Sequence, residues 1–166
     1  MRILRLAAAA LGATALLTSV VTPATADSLG GGKHPVHGWA YLNGDQEVPG
    51  PGDRNGSGRF RYTIKHKTLC YSLSVRRIQT PTAAHIHFGP RGQAGPVAVT
   101  LDTPPRNGWV RDCIRARSWQ NPSNADRVLT FWELKGIKKD PYFFYVNVHN
   151  DRYPDGAIRG QLMSRR

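Results

Sequence analysis

The residues GRFRYTIKHKTLCYSLSV, positions 58–75, contain two runs in which apolar and polar side chains alternate. The first run covers residues 58–64 and the second covers residues 69–75. Alternation with a period of two is typical of a strand that buries one face. The residues between the runs, KHKT, have the length of a hairpin connection. Because each strand buries a single face, the pattern predicts an antiparallel sheet.

Further candidate strands flank this hairpin on both sides, and loops rich in Gly, Pro, Asn and Asp separate them. They lie at residues 38–42, 83–88, 97–101, 109–116, 142–149 and 157–162. Short strands of this kind, with turn signals between them and no internal repeat, are typical of a β-sandwich or barrel. The sequence therefore predicts an all-β fold, an antiparallel β-sandwich or barrel.

One short packed helix is predicted near residues 124–136. Ser123 can cap its N-terminus, and Asp126, three residues later, can complete a capping box. Gly136 marks the expected end. An apolar stripe recurs at helical spacing and has to pack against another element; it consists of Ala125, Val128, Leu129 and Trp132.

The N-terminal residues have the features of a secretory signal peptide. Arg2 and Arg5 give a basic start, residues 6–21 are mostly apolar, and residues 24–26, ATA, match a cleavage site of small residues. The apolar run is short for a membrane span, which needs about 20 residues, although an uncleaved anchor is an alternative. We expect a secreted, extracellular protein without a membrane span after signal removal, organised as signal peptide 1–26, flexible lead-in 27–37 and β domain 38–166.

The chain is strongly basic, with a formal net charge of +12. Residues 1–26 contain Arg2, Arg5 and no acidic residue, so their removal leaves +10. A basic surface attracts anions such as acidic polymers, but the charges are scattered, which is equally typical of a solvated surface. Arg59 and Arg61 alternate with aromatic residues that face the opposite side. Because nucleic-acid stacking needs both residue types on one surface, nucleic acid is an unlikely partner.

Cys70 and Cys113 are the two cysteines of the chain. In an exported protein two cysteines most simply form one disulfide. Closing a loop of this length stabilises the fold by about 4 kcal/mol in the chain-entropy treatment. Two buried free thiols or a copper-binding thiolate are the alternatives.

The stretch AHIHFGPRGQAGPV, positions 84–97, holds two histidines followed by a loop rich in Gly and Pro. On a strand His85 and His87 share one face, and in the strand at 142–149 Tyr145, Asn147 and His149 share one face. If these strands pair, three imidazoles converge. A set of three histidines with an open position suits zinc or copper, so His85, His87 and His149 are candidate metal ligands.

A purely structural interpretation of the same histidines is also open. Histidine at a strand end often donates to a loop carbonyl from one ring nitrogen and accepts at the other. The loop at residues 89–95 has many backbone groups that need partners. Asn147, Arg159 and Gln161 can complete a polar network around this loop without any metal.

Catalytic motifs are missing from the sequence. There is no Gly-x-Ser-x-Gly elbow, no phosphate-binding loop and no dinucleotide fingerprint. The acidic residues are few and mostly lie in turns, so paired carboxylates for glycoside cleavage are not indicated. The sequence therefore favours a protein that is not an enzyme.

Five short motifs occur in the order found in the CHRD domain, a family named after chordin, a secreted antagonist of bone morphogenetic proteins. They are EVP at 47–49, AAHIHFG at 83–89, GPV at 95–97, YVNVH at 145–149 and IRGQL at 158–162. The chain thus resembles a secreted, microbial, single-domain member of this family. The resemblance implies an immunoglobulin-like sandwich or barrel and an extracellular location, and it implies no catalytic activity. The His-x-His strand is also similar to that of copper–zinc superoxide dismutases, another β-sandwich.

These observations together predict a non-catalytic extracellular binding or structural module. Its partner is expected to be an extracellular protein or an acidic cell-surface polymer. The alternative is a copper- or zinc-binding protein with a redox or metal-carrier role through His85, His87 and His149. The oligomeric state does not follow from the sequence.

Overall fold

The computed structural model describes residues 34–165. The predicted signal peptide at 1–26 and most of the predicted lead-in lie outside the described residues. Within residues 34–165, nine strands form one sheet and a single α-helix packs beside it. All neighbouring strands in the sheet are antiparallel, which confirms the predicted all-β fold.

The elements follow one another along the chain with short connections. The strands are β1 Val36–Asn43, β2 Ser57–Lys65, β3 Thr68–Arg76, β4 Pro81–Phe88, β5 Val97–Leu101, β6 Trp109–Arg115, β7 Phe144–Asn150, β8 Tyr153–Gln161 and β9 Met163–Ser164, and the helix α1 is Phe131–Lys139. Short 3₁₀ turns cover Gly44–Gln46 and Pro141–Phe143. In the described residues no helix is long and apolar enough to cross a membrane.

The sheet has the strand order β5-β4-β7-β8-β1-β2-β3-β6, with β9 paired to β1. It curls into a half-barrel around one hydrophobic core to which both halves of the sheet contribute. The predicted hairpins β2–β3 and β4–β5 are both present. The sequence analysis missed β9, because two residues are too short to show an alternating pattern.

Alternation along the strands places their apolar side chains in this core. On β2 and β3 the buried residues are Phe60, Tyr62, Ile64, Leu69, Tyr71, Leu73 and Val75, as the period of two predicts. Strands β7 and β8 are buried on both faces. Their inner face joins the core, and their outer face carries the polar residues described below.

The helix begins at Phe131, later than the predicted start near residue 124. Thr130 caps it, and Glu133 completes the capping box, so the predicted cap at Ser123 is wrong. Residues 121–124 form turns instead, because the Asn121 side-chain oxygen accepts from the Ser123 N–H and hydroxyl groups. Such local hydrogen bonds compete with helix formation. The predicted apolar stripe is only partly used, since Leu129 precedes the helix and Trp132 is 73 % exposed.

Two further details concern β1 and the cysteines. Strand β1 begins at Val36, two residues before the strand expected from Gly38. Cys70 on β3 lies directly opposite Cys113 on β6, and the two form the predicted disulfide. The disulfide therefore joins the edge strand β6 to the interior of the sheet.

Candidate functional site

The candidate site lies on the outer face of β4, β7 and β8. In the register of these strands, His85 is opposite Asn147 and His87 is opposite Tyr145. Asn147 and Tyr145 are in turn opposite Arg159 and Gln161 on β8. Because opposite residues in antiparallel strands share a face, the register brings to one surface all six residues that the sequence analysis assigned to a metal site or a polar network. They are His85, His87, Asn147, His149, Arg159 and Gln161.

The three imidazoles form a compact cluster. The His85 Nδ1 atom lies 3.2 Å from the His149 Nε2 atom. A ring nitrogen of each histidine lies within 4.8 Å of one from each of the others. The three side chains are therefore close enough to share one metal ion.

Backbone carbonyls anchor two of these histidines. The Nδ1 atom of His87 donates to the Gly95 carbonyl oxygen at 2.9 Å, and the Nδ1 atom of His149 donates to the Pro154 carbonyl oxygen at 2.8 Å. A carbonyl oxygen only accepts, so both Nδ1 atoms carry the hydrogen. In a neutral ring the Nε2 atom then has a free lone pair.

The second nitrogen of His87 completes a local network. It lies 3.0 Å from the side-chain oxygen of Asn147. With Nδ1 already donating, this contact requires a second hydrogen on the ring, whereas a neutral ring requires the Asn147 amide turned over to donate its NH₂ group. Burial favours the neutral form by lowering the pKa of His87.

Electrostatics keep His85 neutral as well. Burial, followed by the neighbouring His149 and His87, lowers the pKa of His85 to about 4. Neutral imidazoles are the form that binds a metal. The same neutrality lets His85 donate its Nδ1 hydrogen to His149 when no metal is bound.

Arg159 holds the loop that follows β4. Its guanidinium donates to the carbonyl oxygens of Pro90 at 3.0 Å and of Gln93 at 2.9 Å. Its Cζ atom lies 3.4 Å from the centre of the Tyr145 ring, and that ring also stacks against His87, with ring centres 4.7 Å apart. Arg159 is 2 % exposed, so both its charge and its donors are used inside the protein.

Gln161 supports the base of the same loop. Its amide nitrogen lies 2.8 Å from the Gly89 carbonyl oxygen, 2.6 Å from that of Tyr142 and 3.0 Å from that of Phe144. The Tyr145 hydroxyl accepts from the Gly95 N–H group at 3.2 Å. These contacts leave the tip of the loop, residues 91–94, exposed while its ends are held.

Glu47 is a buried acid that the sequence analysis treated as a turn residue. It is 6 % exposed, and its Oε1 atom has no hydrogen-bond partner among the described residues. Burial raises its pKa to about 8, against the opposing effect of Arg159. The position of Glu47 in the EVP motif was the available signal, but burial depends on the fold of residues 44–53 over β8.

The comparison with known families matches this region as a whole. A family model described as the CHRD domain matches residues 39–162, which include every residue of the candidate site. No curated protein and no solved structure matches the chain.

Proposed function

The chain belongs to the CHRD domain family, and from that premise we propose that it is an exported, non-catalytic module that binds acidic polymers at the cell surface. The disulfide Cys70–Cys113 supports export, since disulfides persist in oxidising compartments. The predicted signal peptide at 1–26 and lead-in at 27–37 belong to the same proposal.

The observation that carries the proposed binding function is the uncompensated positive charge of the surface. The chain has 23 Lys and Arg residues against 11 Asp and Glu residues. Within residues 34–165 a single ion pair is present, Arg127 with Asp126 at 4.0 Å, and both side chains are exposed. Most basic side chains are therefore free to attract an anionic polymer.

The polar network supports a structural rather than a catalytic role for the candidate site. Arg159 and Gln161 spend their donors on loop carbonyls, and His87 is engaged at both ring nitrogens. Groups that hold a loop in this way stabilise it as part of a rigid scaffold, and rigid scaffolds with exposed loops are typical of binding modules.

Export and surface retention can be tested together. We expect the full chain, expressed in a secreting bacterial host, to yield a species that begins at Asp27 and is released from the cell surface by salt, as measured by intact mass. A chain that starts at Asp27 serves as the control and should stay inside the cells. Recovery of full-length protein only from the cell interior would overturn export, and failure of salt to release surface-bound protein would overturn electrostatic retention.

A second candidate function is metal binding by His85, His87 and His149. The observation in its favour is the anchoring of His87 and His149 through Nδ1 to backbone carbonyls, which is the arrangement that metal-ligating histidines use to present Nε2. Three imidazoles with an open position suit copper or zinc. Such an ion would displace the His85–His149 hydrogen bond and could serve a redox or carrier role.

Titration calorimetry with zinc and copper tests this candidate. We expect one equivalent to bind per chain, binding to be lost in His149→Gln, and binding to persist in His37→Gln, which changes an exposed histidine outside the cluster. If the parent binds neither metal, or if both variants lose binding equally, the cluster is not a metal site.

A further inference from the structure

The outer face of β1, β2, β3 and β6 carries arginine and aromatic side chains in two rows. Directly opposed residues of antiparallel strands share a face, so the register defines these rows. The rows are Tyr41, Arg59, Ser74 and Trp109, and Trp39, Arg61, Ser72 and Arg111. We call these eight residues the arginine–aromatic face.

Positive charge on this side of the four strands is unopposed. The same side continues with Lys65, Arg76 and Arg115, and these strands carry no acidic residue on it, within the residues that the structure describes. Asp112, the single acid in the four strands, is opposite the buried Tyr71 and therefore points to the other side. The surface potential here is set by arginine and lysine alone.

The arginine–aromatic face is open to a large ligand. Tyr41 is 58 % exposed and Trp109 is 61 % exposed, while Arg59, Arg61 and Arg111 are also exposed. A groove of about 930 Å³ runs over it. Exposed aromatic rings grouped with basic residues mark an interaction surface rather than a merely solvated one.

Cation–π contacts hold two of the arginines in place. The Arg59 guanidinium lies 5.3 Å from the centre of the Tyr41 ring, and that of Arg111 lies 4.9 Å from the centre of the Trp109 ring. A stacked guanidinium keeps its N–H groups free at its edge, where they can bind a carboxylate or sulfate through two hydrogen bonds. Base stacking by a single-stranded nucleic acid uses open ring faces, which these arginines partly cover.

The spacing of the charges favours a polymer over a small anion. Arg59 and Arg61 are two residues apart on one strand, about 7 Å, and Arg61 and Arg111 are two strands apart, about 10 Å. One small anion cannot bridge all three guanidinium groups at these separations. Successive acidic groups along a polysaccharide can reach each of them in turn.

We propose that the arginine–aromatic face is the binding site for an anionic polysaccharide that bears carboxylate or sulfate groups. The inference rests on the proposed binding function and deepens it by naming the surface and the ligand class. The exposed aromatic residues provide apolar contact for sugar rings, and the arginines provide the charge recognition.

Fluorescence anisotropy with labelled oligogalacturonate and labelled heparin oligosaccharide tests this assignment. The variant Arg61→Gln/Arg111→Gln removes two charges from the face. The matched control Lys135→Gln/Lys139→Gln removes two exposed charges from α1. We expect the first variant to bind at least one of the oligosaccharides at least tenfold more weakly than the parent, and the control to stay within threefold; comparison of the two oligosaccharides shows whether carboxylate or sulfate is preferred.

Each other outcome has a defined meaning. Equal weakening by both double variants would overturn the assignment of the face and leave a general affinity for polyanions, so the proposed function would stand. Absence of binding by the parent to both oligosaccharides at low salt would overturn the proposed function as well. Tighter, arginine-dependent binding of an oligothymidine strand would reassign the face to nucleic acid.

Discussion

Glu47 shows at the scale of one residue how the fold sets the chemistry of a side chain. Its carboxyl group is buried beside the backbone of Gly156, where an added Cβ atom would collide with the carboxylate oxygens. Burial raises the pKa of Glu47 to about 8 because desolvation disfavours the charged form. Arg159 offsets only part of this effect, since its own donors are directed to the loop carbonyls of Pro90 and Gln93.

The raised pKa of Glu47 makes stability depend on pH. The folded state favours the protonated carboxyl, so its contribution is complete below the unfolded pKa near 4.5 and is lost as the pH rises through about 8. We expect the parent to lose up to about 1.4 kcal/mol per pH unit over this range from Glu47, and Glu47→Gln to lack that loss. Urea unfolding at pH 5, 6.5 and 8 measures the difference.

A matched variant controls for charge. Asp45→Asn removes an exposed acid from the same loop and should follow the parent at each pH. If Glu47→Gln and the parent change in parallel between pH 5 and 8, the carboxyl is not protonated in the fold.

Gly156 has a conformational requirement of its own. Its φ is 145°, which residues with a Cβ atom rarely adopt, and the space around it is filled by Glu47. We expect Gly156→Ala to destabilise the fold by about 1–3 kcal/mol, seen as a lower melting temperature. Gly50→Ala, which would meet nothing within 4 Å, should leave the melting temperature nearly unchanged; equal losses in both variants would contradict this account.

At the scale of the element, the position of α1 depends on competing caps. Thr130 and Glu133 bond each other's backbone N–H groups at the helix start. The alternative cap at Ser123 is lost because Asn121 and Asn124 bind the neighbouring backbone N–H groups in turns. Leu134 and Ile137 then face the core, and packing of this short segment selects the later start.

The caps can be compared directly. We expect Thr130→Ala to cost about 1 kcal/mol of stability, because it leaves the Glu133 N–H group without its partner. Ser123→Ala should cost much less, since Ser123 caps no helix. Urea unfolding of both variants measures the costs, and a larger cost for Ser123→Ala would show that the helix extends to residue 124.

At the scale of the whole molecule, one curled sheet presents two different outer faces. The half with β4, β7 and β8 carries a polar network beneath the loop at 89–95, and the half with β1, β2, β3 and β6 carries the arginine–aromatic face. Both halves contribute to the same core, so the two faces are held in fixed positions by common packing.

The disulfide constrains this molecule over a long loop. Cys70 and Cys113 are separated by 43 residues, and closing such a loop stabilises the fold by about 4 kcal/mol in the chain-entropy treatment. We expect Cys70→Ser/Cys113→Ser to lose stability of this order in urea unfolding. Reduction of the parent should reproduce the loss, and it should leave the double variant unchanged; a reductant effect on the double variant would show that the loss has another cause.

The sequence by itself determined the strands and the direction of their side chains. Alternation at residues 58–64 and 69–75 predicted which residues enter the core, because the period of two is a local property of the backbone. The same rule placed His85 and His87 on one face with each other. The family resemblance, carried by five motifs in order, was likewise readable without coordinates.

The tertiary structure decided which strands lie side by side and what covers them. Within β2, the aromatic Phe60 and Tyr62 point away from Arg59 and Arg61, so the strand alone argues against a shared aromatic and basic surface. The aromatic rings that accompany these arginines, Trp39, Tyr41 and Trp109, come from neighbouring strands. Strand order and burial of Glu47 arise from contacts between residues far apart in the chain, and such contacts leave no periodic signal in the sequence.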